Sequence, residues 1–296
     1  MRKEPWAIFR ELILNGYVTV PSDAASIAPR VYRAFDTLVD FATENISWVE
    51  SFNSEGIGWK IRQGLDYSGA FAPAYKDNRG VCGKDNKVSY QSCPGFWAEL
   101  KCAGFDSYPA KVEALDMELL DAIDLVREKM WPIGRALIEL EPSLEHRLLN
   151  RNGTANLTIR VIRYSPANGN LAAQPHVDRS ALTCVLDSSD PLSTPTLAFA
   201  KPWLSTLRLS NFRAVQADNE NKILPRAVVF PGEGFARLGF EAVPPTPHTV
   251  FPLASSANRY SLVAHWMVRG LDLSGPETEL RLLPTHDDNA PAIAAA

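Results

Sequence analysis

LTIRVIRY, residues 157–164, is the first of five short β-rich runs that decide the fold of this chain. It consists largely of β-branched and aromatic residues, which favour a strand. Proline, glycine, asparagine and aspartate separate it from the later runs, which are ALTCVL (181–186), PTLAFA (195–200), AVVFPG (227–232) and SLVAHWMV (261–268). Five such runs predict a mainly β fold with helices added, whose core is a double-sheet jelly roll.

The first half of the chain has a helical period instead. Residues 6–15 form an amphipathic stretch that Gly16 is expected to close. A second helix is predicted after Ser22, a candidate N-cap, and a third from about Lys111. Pro132 predicts a kink or a restart within that third helix.

A long segment without clear periodicity separates these helices. Residues 47–110 are rich in glycine, proline and aromatic side chains, which is typical of a functional lid or binding loop. We therefore expect a helical N-terminal region at 1–150, a jelly-roll core at 151–275 and a C-terminal tail at 276–296.

Composition and charge exclude several classes of protein. Of the 296 residues, 46% are hydrophobic and 22% are charged, which is enough for a substantial core. The net charge of −4 argues against nucleic acid or an anionic membrane as the main partner. No apolar run reaches the ~18–20 residues of a membrane helix. The four cysteines show no C-x-x-C pair and are expected to be reduced, which favours the cytoplasm.

His176, Asp178 and His248 are the candidate metal ligands. Two histidines and one carboxylate form the facial triad of non-haem Fe(II) oxygenases. His176 and Asp178 are two residues apart, so on a strand both side chains would point to one face. His248 would then reach the same ion from another strand. Three ligands on one face of Fe(II) leave its other positions open for a co-substrate and O2.

Arg259 and Ser261 repeat the two-residue spacing in NRYSLVAHW. A guanidinium fork with a hydroxyl beside it suits the bidentate recognition of a buried carboxylate. If both side chains point into the barrel, Val263 and His265 follow on the same face. We interpret His265 as a hydrogen-bonded core histidine, because the triad is already complete.

The order of these motifs resembles a known family. The isopenicillin N synthase-like family of Fe(II)/2-oxoglutarate dioxygenases has a C-terminal half that is similar to RVIRYSP (160–166), PHVDRSALTCVL (175–186), PGEGF (231–235), PHTVF (247–251) and NRYSLVAHW (258–266). The similarity covers residues 155–270, and PWAIFRELILNGYVTVPS (5–22) is more loosely similar to the family's opening. An H-x-D step alone is common by chance, whereas the whole series in this order is specific.

The resemblance implies a double-stranded β-helix and a single catalytic domain over residues 1–296. It implies Fe(II) as the metal and 2-oxoglutarate and O2 as co-substrates. An unactivated C–H bond of a small metabolite would be oxidised, most simply hydroxylated, with release of succinate and CO2. Arg259 and Ser261 would hold the distal carboxylate of 2-oxoglutarate, and Tyr164 would lie beside it.

The motifs do not choose the substrate. We favour a polar, amino-acid-like molecule or a natural-product intermediate. Arg160 shares a strand face with Tyr164, so it is a candidate substrate contact, although its side chain could instead extend to water. Arg62 and Tyr67 are candidate pocket residues in the irregular segment, with a surface loop as the alternative.

Three alternatives stay open from the sequence. An Fe(II) oxidase of the same fold, a cyclase or desaturase, would share every motif but consume no 2-oxoglutarate. A non-catalytic cupin-like barrel would bind the metal without chemistry. A zinc hydrolase would need a general base beside metal-bound water, for which Glu233 and Glu241 are candidates.

Overall fold

A computed structural model describes residues 5–44, 71–72, 87–92, 110–150, 153–164, 171–189, 196–202, 204, 207–215, 226–252, 258–269 and 280. Within them the chain forms strands that pair antiparallel in two sheets. The strands are β1 Val18–Pro21, β2 Phe71–Ala72, β3 Lys87–Ser92, β4 Leu157–Tyr164, β5 Ala173–His176, β6 Leu182–Ser188, β7 Leu197–Phe199, β8 Arg213–Ala214, β9 Arg226–Pro231, β10 His248–Val250 and β11 Arg259–Trp266.

The two sheets differ in size and in what they carry. The larger sheet has seven strands in the order β1-β9-β6-β11-β4-β3-β2. The smaller sheet has four, in the order β5-β10-β7-β8. All five runs predicted as strands are strands, and LTIRVIRY matches β4 at both ends.

The helices are α1 Pro5–Asn15, α2 Ala28–Glu44, α3 Ala110–Leu140, α4 Glu145–Leu148 and α5 Gly234–Arg237. Gly16 closes α1 as predicted, with a positive φ of 81° and its amide donating to the Leu12 carbonyl at 2.9 Å. Ser22 does not cap α2, because its hydroxyl accepts the amide of Ala24 and donates to the Leu186 carbonyl. A short 3-10 turn intervenes before α2 begins.

Helix α3 continues through Pro132, so the predicted restart does not occur. Met130 and Ile133, on either side of the proline, are both buried in the main core. Proline removes one hydrogen bond from a helix. Because most helical stability in proteins comes from packing of the apolar face, this burial accounts for the continuity.

Helices α1, α2 and α3 cover one face of the larger sheet. At the centre of the contact, the Trp266 indole stacks on Trp131 at 5.9 Å between ring centroids and donates from Nε1 to the Leu148 carbonyl at 2.6 Å. Gly134 makes room for this ring, since a Cβ there would overlap the indole. The predicted arrangement, a jelly-roll core with a helical N-terminal region packed on it, is confirmed.

Strand alternation divides the larger sheet into two faces. Val161 and Ala264 belong to the core beneath the helices. Tyr164 and Val263 instead pack with residues of the smaller sheet, in a cluster with Ile162, Ala172, Ala173 and Val250. The second face therefore points into the interior between the two sheets, and β5 and β10 line the opposite wall.

The segment at 47–110 was predicted to be irregular, and this is wrong for part of it. Residues 87–92 form β3, which pairs with β4, and residues 71–72 form β2, which pairs with β3. Pairing to a strand distant in sequence leaves no local periodic signal, which explains the error. Within the described ranges, no helix combines the length and apolar character that crossing a membrane requires.

Candidate metal centre

The backbone brings His176 and His248 face to face. His176 ends β5 and His248 begins β10, and the two residues are directly opposite in this antiparallel pair. Asp178 lies just past the end of β5, so the prediction that one strand carries both His176 and Asp178 is wrong. Strand β10 begins opposite His176, which leaves β5 no pairing partner beyond it.

The three side chains nevertheless converge on one point. Nε2 of His176 lies 3.6 Å from Oδ1 of Asp178, and Nε2 of His248 lies 3.7 Å from Oδ2 of Asp178. The potential ligand atoms of all three residues lie within 4.8 Å of one another. Two imidazoles and one carboxylate at this spacing fit one Fe(II) or Zn(II) ion.

Backbone carbonyls fix the tautomers of both histidines. Nδ1 of His176 lies 2.7 Å from the Gln174 carbonyl oxygen, and Nδ1 of His248 lies 3.2 Å from that of Thr246. A carbonyl oxygen can only accept, so in each neutral ring Nδ1 carries the proton. Each Nε2 then presents its lone pair to the common centre, as a metal-bound histidine requires.

The electrostatics of the cluster favour the forms that bind metal. Burial would raise the pKa of Asp178, but nearby charges and a hydrogen bond hold it well below its usual range; these come from His248, His265, His176 and Thr183. Burial lowers the pKa of His248 to about 4, and the positive charge of His176 adds to this effect. At neutral pH Asp178 is a carboxylate and His248 is a neutral imidazole.

Arg259, Ser261 and Tyr164 meet on the inward face of β4 and β11. Arg259 and Ser261 are buried, and Tyr164 is the cross-strand partner of Arg259. The guanidinium carbon of Arg259 lies 4.7 Å from the centroid of the Tyr164 ring. Nη2 of Arg259 donates to Oγ of Ser188 at 3.1 Å. Ser188, which the sequence analysis missed, adds a second hydroxyl to a site whose chemistry suits a carboxylate.

This polar cluster faces the same interior as the histidines. Tyr164 packs in one cluster with Ala173 of β5 and Val250 of β10. Those two strands carry His176 and His248. The interior between the sheets therefore holds a metal-ligand set on the smaller sheet and a buried guanidinium on the larger one.

Comparison with known proteins identifies the architecture. Neither protein-family models nor curated protein sequences match the chain. Solved structures do. A full-length Neurospora crassa protein in complex with alpha-ketoglutarate and thymine has a TM-score of 0.57 and 13% identity, over 90% of this chain and 80% of that one. The dioxygenase for auxin oxidation from rice has a TM-score of 0.54 and 14% identity, over 89% of this chain and 77% of its own.

A protein from Caulobacter crescentus assigned to the 2OG-Fe(II) oxygenase family gives a TM-score of 0.58 and 14% identity, over 89% of this chain and 81% of its own. The chain has the double-stranded β-helix fold. At these identities the likeness establishes the fold, and function rests on the residues in the barrel.

Within the double-stranded β-helix, Thr183 and His265 support the carboxylate ligand. Oγ1 of Thr183 donates to Oδ2 of Asp178 at 2.6 Å and lies 3.2 Å from Nδ1 of His265. Thr183 and His265 are cross-strand partners on β6 and β11. His265 is therefore inward-facing and hydrogen-bonded, as predicted. Its link to Asp178 through Thr183 could not be read from the sequence, because it depends on strand register.

The PGEGF turn after β9 holds the backbone around Asp178. Consecutive amides of Gly232, Glu233 and Gly234 donate to the carbonyls of Ala181, Asp178 and Ser180, at 3.0, 2.7 and 3.0 Å. A Cβ on Gly232 would lie 2.5 Å from the Asp178 carbonyl oxygen and closer still to that of Ser180. The two glycines on either side of Glu233 were visible in the sequence, but the backbone segment that they contact was not.

Some of the remaining predicted residues lie within the described part of the chain, and others lie outside it. Arg160 lies on the inward face of β4, two positions from Ile162, as expected. Arg62 and Tyr67 lie outside the described residues. Cys184 is buried, and burial raises the pKa of its thiol to about 12, which fits an inert reduced cysteine.

The two candidate bases of a zinc hydrolase do not join the metal ligands. Glu233, which immediately precedes helix α5, forms a salt bridge with Arg237 at 2.7 Å. Glu241 is exposed in the turn that follows α5. Neither belongs with His176, Asp178 and His248 in the cluster of potential ligands found among the described residues.

Proposed function

We propose that the protein is an Fe(II)- and 2-oxoglutarate-dependent dioxygenase of the isopenicillin N synthase-like branch. It hydroxylates an unactivated C–H bond of a small metabolite and releases succinate and CO2. One observation carries the proposal: the triad of His176, Asp178 and His248 shares its barrel interior with the buried Arg259 and Ser261. A metal site alone fits many proteins, whereas this second site supplies the reason for a carboxylate-bearing co-substrate.

The chain's own residues would hold Fe(II) by three ligands and keep them in place. Nε2 of both histidines and the Asp178 carboxylate are oriented by carbonyl oxygens and by Thr183. When bound together with 2-oxoglutarate and O2, Fe(II) supplies an oxidant strong enough for an unactivated carbon. The protein contributes orientation and the exclusion of water.

Arg259 and Ser261 would bind the distal carboxylate of 2-oxoglutarate. The Arg259 fork can donate two parallel hydrogen bonds, and its position against Tyr164 limits its rotation. Ser261 and Tyr164 can each add one hydroxyl donor. Because this pocket is buried, the ion pair would be screened little by solvent.

The proposed substrate is a small polar molecule, amino-acid-like or a natural-product intermediate. Among the similar structures, one was obtained with thymine and another is named for auxin oxidation. Both names refer to small molecules, which agrees with a reaction inside the barrel. Arg160 is the proposed substrate contact that lies within the described residues; Arg62 and Tyr67 stay predictions, as does the division at 1–150, 151–275 and 276–296.

The proposal is tested by the co-substrate it requires. Anaerobic protein with Fe(II) and 2-oxoglutarate is expected to develop a weak visible charge-transfer band, because the 2-oxo acid chelates the metal. Admitting O2 should then release succinate, with Asp178→Ala as the inactive control. If product forms without any 2-oxo acid, the oxidase alternative replaces the proposal. If metal binds but neither band nor product appears, the chain is a metal-binding barrel without this chemistry.

A further inference from the structure

A second polar group lies on the inward face of the larger sheet, away from Arg259. It consists of Gln91 on β3 and of Arg160 and Thr158 on β4. Gln91 and Arg160 are direct cross-strand partners, so their Cβ atoms lie about 5 Å apart. Thr158 is two positions along from Arg160 and points to the same face.

The neighbours of these residues fix that direction. Tyr90 points to the helices, where its hydroxyl donates to Asp116 on α3, so Gln91 points the opposite way. Leu157 and Ile159 belong to the core beneath the helices, which turns Thr158 inward. The three polar side chains therefore face the interior that holds the metal ligands.

Gln91 and Thr158 are buried, as is the Nε atom of the half-buried Arg160, and all three have hydrogen-bonding capacity unused. Gln91 is 2% exposed and Thr158 is 1% exposed. Neither Nε2 of Gln91, nor Oγ1 of Thr158, nor Nε of Arg160 hydrogen-bonds to any part of the chain that the structure describes. A buried polar group without a partner costs about 1–3 kcal/mol, so such a cluster calls for a ligand.

The charge of this cluster indicates which ligand. Arg163, on the same strand but the helix side, forms a salt bridge with Asp36 at 3.0 Å. Arg160 has no such carboxylate among the described residues. Gln91 and Thr158 offer an N–H and an O–H donor beside it, and none of the three is an acid. Two neutral donors beside one guanidinium fit an oxyanion.

The cluster is separate from the proposed co-substrate pocket. Tyr164, opposite Arg259, is four strand positions from Arg160, a distance of about 13 Å. On the other side, Thr158 pairs with His265, and His265 pairs with Thr183, which bonds to Asp178. Thr183, which holds the candidate ligand Asp178, therefore lies two strands from Thr158 across the same face, about 10 Å.

We propose that Arg160, Gln91 and Thr158 form the subsite that binds a carboxylate of the prime substrate. The substrate class is a small carboxylic acid, whose carboxylate docks here while the carbon to be oxidised extends toward His176, Asp178 and His248. That this ligand is the prime substrate rests on the proposed function. The anion site itself depends only on the three residues.

Matched acid and amide pairs test the subsite by binding. The probes are phenylacetate with phenylacetamide, indole-3-acetate with indole-3-acetamide, and N-acetyl-alanine with its amide. Calorimetry is done anaerobically with Fe(II) and saturating 2-oxoglutarate, where no turnover occurs. At least one acid is expected to bind about tenfold or more tightly than its amide. If no acid is preferred over its amide, the subsite proposal is overturned.

Substitutions test which residues cause the preference for an acid over its amide. Arg160→Gln should abolish it, Arg160→Lys should retain part of it, and Gln91→Leu or Thr158→Val should each reduce it severalfold. Arg163→Gln is the matched control, an arginine three residues along β4 on the opposite face, and it should leave the preference unchanged. A preference that survives Arg160→Gln and Gln91→Leu in folded protein places the carboxylate elsewhere.

A binding experiment without metal distinguishes failure of the subsite proposal from failure of the proposed function. In an Arg259→Gln background without Fe(II) or 2-oxoglutarate, the acid preference should persist, because Arg259 cannot then account for it. If wild-type protein fails to bind 2-oxoglutarate while this preference persists, the dioxygenase proposal fails and the anion site stands. If Arg160→Gln weakens 2-oxoglutarate binding and Arg259→Gln does not, the two arginines have the opposite roles and the subsite proposal is wrong.

Discussion

Asp178 is the residue on which the candidate metal centre depends. Both of its carboxylate oxygens face a histidine Nε2, and Oδ2 also accepts the hydrogen bond of Thr183. Its negative charge lies beside three histidines, which is why its pKa is held low although burial would raise it. A substitution that rotates this carboxylate should therefore lower metal affinity more than it lowers the stability of the fold.

Thr183→Val tests whether the orientation of the Asp178 carboxylate controls metal affinity. The substitution keeps the shape of the side chain and removes the hydroxyl that orients Asp178 and contacts His265. Fe(II) affinity, measured anaerobically by chelator competition, should fall by about 10- to 100-fold, as for other groups that orient metal ligands. Thr37→Val, which removes a hydroxyl bonded within α2, should leave affinity unchanged. Equal affinity in both variants would show that Thr183 has no such role.

Arg259→Lys tests the co-substrate pocket. Lysine keeps the charge but loses the planar fork and the contact with the Tyr164 ring. Disturbing one partner of a buried charge pair costs on the order of 2–5 kcal/mol, so the apparent KM for 2-oxoglutarate should rise by tens- to thousands-fold. Ser261→Ala should act in the same direction more mildly. Arg163→Lys is the control on the helix side, and an unchanged KM in both test variants would move the carboxylate elsewhere.

The turn between β9 and α5 holds the backbone around Asp178 by hydrogen bonds. Its three amides hold three carbonyls of the segment that follows His176. Asp178 needs this support because it lies beyond the end of β5, where no strand partner fixes its backbone. The turn supplies the rigidity that the strand does not.

Gly232→Ala should therefore loosen the metal site. The new methyl cannot fit between the turn and the carbonyls of Asp178 and Ser180, and backbone atoms cannot move aside cheaply. Metal affinity per folded molecule should fall by about 10-fold or more. Gly134→Ala is the matched control, since its new methyl overlaps the Trp266 indole on the helix side of the larger sheet. It should lower the melting temperature through overpacking yet leave metal affinity intact; a parallel loss of affinity in both would indicate general instability.

The layer of helices contains a buried acid of its own. Asp116 on α3 is fully buried and accepts the hydroxyl of Tyr90 at 2.9 Å. Burial raises the pKa of Asp116 to about 7, against hydrogen bonds from Ser92 and Tyr90 that lower it. The folded protein thus holds this proton more tightly than the unfolded chain. Its stabilising contribution is complete below about pH 4 and is lost as pH rises through 7.

Asp116→Asn removes this titration and should change the pH dependence of stability. Relative to wild type, the variant should gain about 3 kcal/mol in free energy of unfolding between pH 5 and pH 8. Urea unfolding of both proteins at the two pH values measures the difference. Asp124→Asn, on the exposed side of the same helix, should show no such gain. A pH-independent difference for Asp116→Asn would mean that the acid stays ionised in the folded state.

Much of the local structure followed from patterns within single segments of the sequence. Alternation within one strand is a local property, so the shared face of Arg259, Ser261, Val263 and His265 followed from spacing alone. The β-rich runs and their punctuation predicted the strands of the barrel, and the order of the polar motifs predicted which residues would meet. One error was also local in kind, because β5 ends before Asp178.

The pairings between distant segments depended on how the whole chain folds. His176 opposite His248, Gln91 beside Arg160, and the PGEGF amides on the Asp178 backbone all depend on strand register and loop closure. Residues 87–92 form a strand because they pair with β4, and no sequence pattern within that segment predicts this pairing. Register is set by the packing of whole sheets, so it becomes visible only when the chain is folded.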